Sequence, residues 1–105
     1  MPRFRLHRLV DFEFWTAAAW YEERSPLAAE NFADSFEAAL AAIERSPTAH
    51  PPWQRPFRRL RLKRFPYLVL FHADRRSVSV LALAHERREP RRVLRDLTRR
   101  QKEFL

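Results

Sequence analysis

Glycine and cysteine are both absent from the 105 residues, and no apolar run approaches the length of a membrane span. Each absence removes a class of function. Without glycine there is no P-loop, no dinucleotide-binding fingerprint and no nucleophile elbow, because each needs a residue lacking Cβ where the backbone nears a ligand or turns sharply. Tight turns fall instead to Pro, Asp, Asn or Ser, as in Ala73-Asp74-Arg75-Arg76. Without cysteine neither disulfides nor thiolate metal sites form, which suits a reducing compartment. A membrane helix takes about 20 apolar residues, and Met1-Pro2-Arg3-Phe4-Arg5 is not followed by an apolar stretch of the secretory kind. The expectations are a cytoplasmic protein with no membrane partner, no metal and no cofactor.

Large apolar side chains are plentiful. Hydrophobic residues make up 46% of the chain, with nine Phe, three Trp and two Tyr, enough for one core in one domain over residues 1–105. Charge is unevenly placed. Residues 57–105 carry 15 Lys/Arg against 5 Asp/Glu and residues 1–56 carry 6 against 8, which together give the net +8. The cations concentrate on Arg58-Arg59-Leu60-Arg61-Leu62-Lys63-Arg64, on Arg87-Arg88, and on Arg91, Arg92, Arg95, Arg99, Arg100 and Lys102. That asymmetry points to an anionic partner: nucleic acid, an acidic protein or an acidic surface.

Periodicity predicts an α+β chain in the order β-α-α-β-β-β-α. Phe4 and Leu6 alternate with Arg3, Arg5 and His7, a strand pattern. From Leu9 to Glu23, Val10, Phe14, Ala17, Ala18 and Tyr21 give one helical face and Phe12, Trp15 and Ala19 a second, predicting a helix buried on more than one side. Ser25-Pro26 supplies a cap and a first-turn proline for the next helix, whose apolar stripe runs through Phe32, Phe36, Ala39, Leu40 and Ile43 until Pro47. The two helices form an antiparallel hairpin. Trp15, Trp20 and Trp53 read as packing residues.

After the Pro-rich stretch from Pro47 to Pro56 the period becomes two. Arg59, Arg61 and Lys63 fall on one face of a strand and Leu60 and Leu62 on the other. Tyr67–Phe71 and Val78–Ala84 are further strands with a turn at Asp74, which predicts an antiparallel sheet carrying the helical hairpin on one face. Pro90 opens a last helix with Val93, Leu94, Leu97, Gln101 and Phe104 along one stripe.

Four strings carry a likeness to a known family. They are Trp20-Tyr21-Glu22-Glu23-Arg24-Ser25-Pro26, Ala39-Leu40 through Ile43 to Pro47, Arg64-Phe65-Pro66-Tyr67, and His85-Glu86-Arg87-Arg88-Glu89-Pro90. As an ordered set over about residues 4 to 95, together with the element order, the chain resembles the RelE/ParE superfamily of bacterial toxins from type II toxin–antitoxin modules. The resemblance implies one of two activities: ribosome-dependent mRNA cleavage in the RelE-like branch, or poisoning of DNA gyrase in the ParE-like branch, which has no known hydrolytic site. Fold alone does not choose between them.

RNA cleavage through the 2′-hydroxyl needs a base, an acid and cations for the phosphorane. The resemblance implies basic residues on the strand at 58–64, an arginine on the central strand, an arginine after the last strand and often an aromatic nearby. Arg59 and Arg61 match in charge, with Lys63 beside them, and Arg87 or Arg88 stands after the last strand. Leu68 stands where the central-strand arginine is expected, and Arg91-Arg92-Val93-Leu94 lacks the aromatic. Arginine transfers protons poorly, so His85 is the one group of the motif that titrates near neutrality.

The catalytic candidates are therefore His85, Arg87 and Arg88, and the phosphate- or target-binding candidates Arg59, Arg61, Lys63, Arg87 and Arg88. The basic segment after the last strand is closer to ParE-like toxins, and on that reading the cations grip a target and no residue is catalytic. The same features also suit a solvated sheet face, a structural His85 and a nucleic-acid-binding relic without toxicity. The partners implied are a cognate antitoxin with an acidic amphipathic segment and DNA gyrase, or in the alternative the ribosome and mRNA. The antitoxin is expected on the basic sheet face or in the groove beside the helical hairpin.

Overall fold

The computed structural model describes residues 2–104. The elements follow the expected order: β1 (Arg3–Leu6), α1 (Arg8–Arg24), α2 (Pro26–Arg45), β2 (Arg58–Arg61), β3 (Tyr67–Ala73), β4 (Ser77–His85) and α3 (Pro90–Lys102). Local chemistry sets the ends. The Ser25 hydroxyl accepts from the Ala28 N–H at 3.2 Å while the Ser25 N–H donates to the Tyr21 carbonyl, so one residue closes α1 and opens α2. The Asp74 carboxylate accepts the Arg76 and Ser77 N–H groups at 2.8 and 2.9 Å and makes the β3–β4 turn, and those bonds hold its carboxyl below the ordinary range. Glu89 caps α3 by accepting from Arg91 and Arg92. His7, placed by the alternation at the end of the first strand, is buried and caps α1: its Nδ1 accepts the Leu9 N–H at 3.1 Å.

The strand order is β1-β4-β3-β2, and the sheet is mixed. β2–β3 and β3–β4 pair antiparallel as expected, but β1 runs parallel to β4, from Arg3 opposite Ser77 to Leu6 opposite Val80. This corrects the wholly antiparallel sheet. The hairpin carries the chain from β1 to the far edge, and the meander walks back until β4 lies beside β1 pointing the same way.

Two apolar layers flank the sheet. On one side Val10, Ala17 and Ala18 of α1 and Phe32, Phe36, Ala39 and Ile43 of α2 pack on Val69, Phe71, Val78, Val80 and Leu83. On the other, Val93 and Leu97 of α3 and Phe57 cover Leu68, Leu70, Leu81, Ala82 and Ala84. Both central strands are covered on both faces, hence their continuous apolar runs. The register slips at Leu70/Phe71, where Ala82 and Val80 are the successive partners and Leu81 is left as a bulge.

α1 departs from its expected burial. It meets α2 and the sheet through one sector, and its third side faces solvent, leaving Phe12 67%, Trp15 63% and Trp20 50% exposed. Two of the three tryptophans are thus surface residues. The Trp20 ring lies under the Arg24 guanidinium, 3.5 Å from the ring centre.

The missing glycine leaves a mark in the β2–β3 turn. Arg64 has φ 71°, in the left-handed region that costs a residue with Cβ about 1 kcal/mol or more. Arg64→Gly is expected to stabilise the fold by about 0.5–1 kcal/mol, the relief of strain exceeding the entropy that glycine gains on unfolding. Urea denaturation reads this directly, and a destabilised variant would refute the account.

Candidate functional site

Pairing across the ladder decides which side chains share a face. Leu60 stands opposite Val69 on the hairpin side, so Arg59, opposite Leu70, and Arg61, opposite Leu68, project on the α3 side. His85 stands opposite Tyr67, which packs with the hairpin layer. Arg59 and Arg61 are therefore on the opposite sheet face from His85. Lys63 is not on the strand at all. β2 ends at Arg61, and Lys63 lies in the following turn, where its carbonyl accepts the Ser35 hydroxyl at 2.9 Å.

The cations also differ in how far they are engaged. Arg61 Nε donates to the Glu86 carboxylate at 2.9 Å, which raises the guanidinium pKa further and holds the Glu86 carboxyl below its ordinary range. Arg88 pairs with Asp96 at 3.4 Å. The Arg87 backbone N–H donates to His85 Nδ1 at 3.1 Å, which places the hydrogen of the neutral ring on Nε2. The His85 ring meets Tyr67 edge-on, 5.2 Å between centres. Burial pushes the Tyr67 and Tyr21 phenols up.

His85 and Arg88 share the wall of a groove of about 540 Å³ between α1 and the end of β4, with Phe12, Trp20, Tyr21 and Tyr67 supplying much of its lining. The groove exists because β1 is short. β1 accompanies β4 only as far as Val80, and side chains close the outer edge of β4 only over the next stretch, from the Leu81 carbonyl to the Leu83 N–H. The Leu83 N–H donates to Glu13 Oε1 at 3.0 Å and the Leu81 carbonyl accepts from Arg100 at 2.9 Å. Arg100 and Glu13, both mostly buried, pair at 3.0 Å. Glu86 N–H donates to the Pro66 carbonyl, so the even-numbered residues face β3 and the Leu83 carbonyl and His85 N–H turn outward into the groove. An apolar concave wall beside an unfilled strand edge is the geometry that takes up a segment of another protein by strand addition or as an amphipathic helix.

Arg100, one of the clustered cations that pointed to an anionic partner, is buried. Its spacing held the signal, since Val93, Leu97, Arg100 and Phe104 recur at four, three and four along the buried stripe. At the end of α3, Glu103 lies 3.2 Å from His7 and 3.4 Å from Arg8, which together hold its carboxyl below the ordinary range, His7 contributing most. Among the described residues no group of His, Cys, Asp and Glu is placed to hold a metal, and no helix is long and apolar enough to cross a membrane.

Comparison with known proteins agrees with this architecture. The toxin ParE2 of Mycobacterium tuberculosis is 24% identical over 99 residues, covering 93% of this chain and 94% of the relative. A solved structure described as the chromosomal ParDE TA system from P. aeruginosa superposes with a TM-score of 0.72 at 17% identity, covering 81% of this chain and 96% of that one, a likeness of fold. Residues 5–90 match the family described as the ParE toxin of the type II toxin-antitoxin system, parDE. The mixed four-stranded sheet with its helical hairpin and docked last helix is thus the frame of a known toxin class, and the chain belongs to the ParE toxin family.

Proposed function

We infer that this toxin arrests growth by binding and poisoning DNA gyrase in the cytoplasm, and that a cognate antitoxin neutralises it by occupying the groove between α1 and the outer edge of β4. The observation that carries binding over cleavage is the placement of His85 on the sheet face opposite Arg59 and Arg61. A cleavage site needs its base and its phosphate-holding cations around one scissile bond, and here the thickness of the sheet lies between His85 and Arg59 and Arg61, while Arg88, which shares the groove wall with His85, is paired with Asp96. Arg59 and Arg87 are exposed and form no ion pair among the described residues, which suits them to a target contact. Arg61 and Arg88 join them by exchanging Glu86 and Asp96 for target groups. Lys63, in the turn beyond β2, extends the same edge. The apolar groove with Phe12 and Trp20 at its wall suits a protein segment, the chemistry an antitoxin offers.

The test is a gyrase cleavage assay run beside in vitro translation. Purified toxin is expected to accumulate gyrase-cleaved DNA, and His85→Ala is expected to do so equally, with growth arrest intact in cells. Full supercoiling activity at excess toxin would sink the gyrase reading. Codon-positioned mRNA ends that vanish in His85→Ala would establish cleavage in its place.

A further inference from the structure

A further share of the positive charge lies on α3, and the ion pairs sort it. Asp96 takes up Arg88 and Arg99, and Glu13 takes up Arg100. Arg91, Arg95 and Lys102 are exposed and have no acidic partner among the described residues. At 3.6 residues per turn, these three and Thr98 fall within about 60° of one another on the helix, and the stripe runs for about 16 Å along its axis. Val93, Leu97 and Arg100 are buried, so the stripe is the pole of α3 turned away from the sheet. A shallow cleft runs alongside, and Arg55 and Lys102 both line it, one from the loop before β2 and the other from the helix. Arg59 projects from the same sheet face.

We propose that this stripe, Arg91, Arg95 and Lys102 with Arg55 across the cleft, holds the phosphate backbone of duplex DNA without reading its sequence. Three features favour that partner. First, the stripe has no apolar residue at its centre, whereas the middle of a protein interface is a desolvated apolar cluster. The exposed large apolar residues among those described are Phe12, Trp15 and Trp20 on α1, Leu27 on α2 and Leu6 on β1, and none is on α3. Second, phosphate recognition is a polar contact made by Arg, Lys and hydroxyl groups, and a DNA strand offers one charge per about 3.4 Å of axis, enough to meet every cation along 16 Å. Third, single-stranded nucleic acid is held by stacking on exposed aromatics. On this face Phe57 is buried, Trp53 is packed into the α3 layer and Phe104 lies under the Arg5 guanidinium. The proposal stands apart from the gyrase reading, since DNA binding is measured without the enzyme and either can fail alone.

The experiment is fluorescence anisotropy of the full chain with a labelled 20-base-pair duplex between 50 and 200 mM salt. Wild type is expected to bind, with affinity falling steeply as salt rises. In R91Q/R95Q/K102Q the slope of log K against log salt is expected to drop by about 2.7, at about 0.9 per lost phosphate contact, and affinity at 100 mM salt at least tenfold. All three side chains are exposed, and an unchanged thermal melt confirms that the variant is folded. R24Q/R45Q, which removes two exposed cations of the hairpin, is expected to bind as wild type does. Any of four results would overturn the proposal: no duplex binding at 50 mM salt, an unchanged slope in the triple variant, tighter binding of single-stranded RNA, or equal competition by polyglutamate of matched charge.

Discussion

Replacing Arg100 with Met is expected to cost about 3–5 kcal/mol, the range for removing one partner of a buried ion pair. Two groups lose their partner together, and with them the edge of β4 loses its tie to α3. The Glu13 carboxylate is left charged against the protein interior, and the Leu81 carbonyl loses its donor. Glu13→Gln is expected to cost less, because the amide oxygen still accepts the Leu83 N–H. The double variant is expected to be more stable than the two losses added together, since the amide without Arg100 is neutral while the carboxylate without Arg100 is not. Urea denaturation of the four proteins closes the cycle. A cost for Arg100→Met under about 1 kcal/mol would show that the pair is an ornament of the surface.

Phe32→Ala is expected to be comparably damaging, at about 3–5 kcal/mol. Phe32 is fully buried, stacks on Tyr21 and Phe14 at 5.1 and 5.7 Å, and meets Phe65 and Tyr67 edge-on, each at 5.3 Å. It ties α2 to α1 and to the start of β3. Alanine would leave a cavity beneath Tyr67, the residue that supports the His85 ring, so the groove wall should loosen along with the core. Phe32→Leu keeps most of the volume and is expected to cost less than half as much. Thermal melts rank the pair, and equal losses for Ala and Leu would point to lost aromatic geometry in place of lost volume.

Local chemistry was legible in the sequence. Ser25-Pro26 marked the helix junction, Asp74 the β3–β4 turn and Pro90 the start of α3, because each acts within a few residues of itself. Relations between distant segments were not. The partner of β1 depends on where the meander ends, and periodicity carries no direction. The face of Arg59 and Arg61 depends on the β2–β3 register, and a slip of one residue would have moved both to the sheet face of His85. α1 shows the same limit in another form. Phe12 and Trp15 satisfy a helical pattern, but two helices on one sheet face cannot bury a third side, so a face that reads as core becomes surface.

The short β1 and the Arg100 clasp also govern when the chain finishes folding. Arg5 bonds to Ser79 across 74 residues, and Glu13 to Arg100 across 87. Contacts of that separation repay their loop closure only after both ends exist. During synthesis the helical hairpin emerges first, with the apolar layer meant for β3 and β4 uncovered, and the clasp waits for the last turn of α3. A stop codon before Arg100 would yield a chain without the bonds from Arg100 to Glu13 and to the Leu81 carbonyl, leaving that part of the sheet edge open.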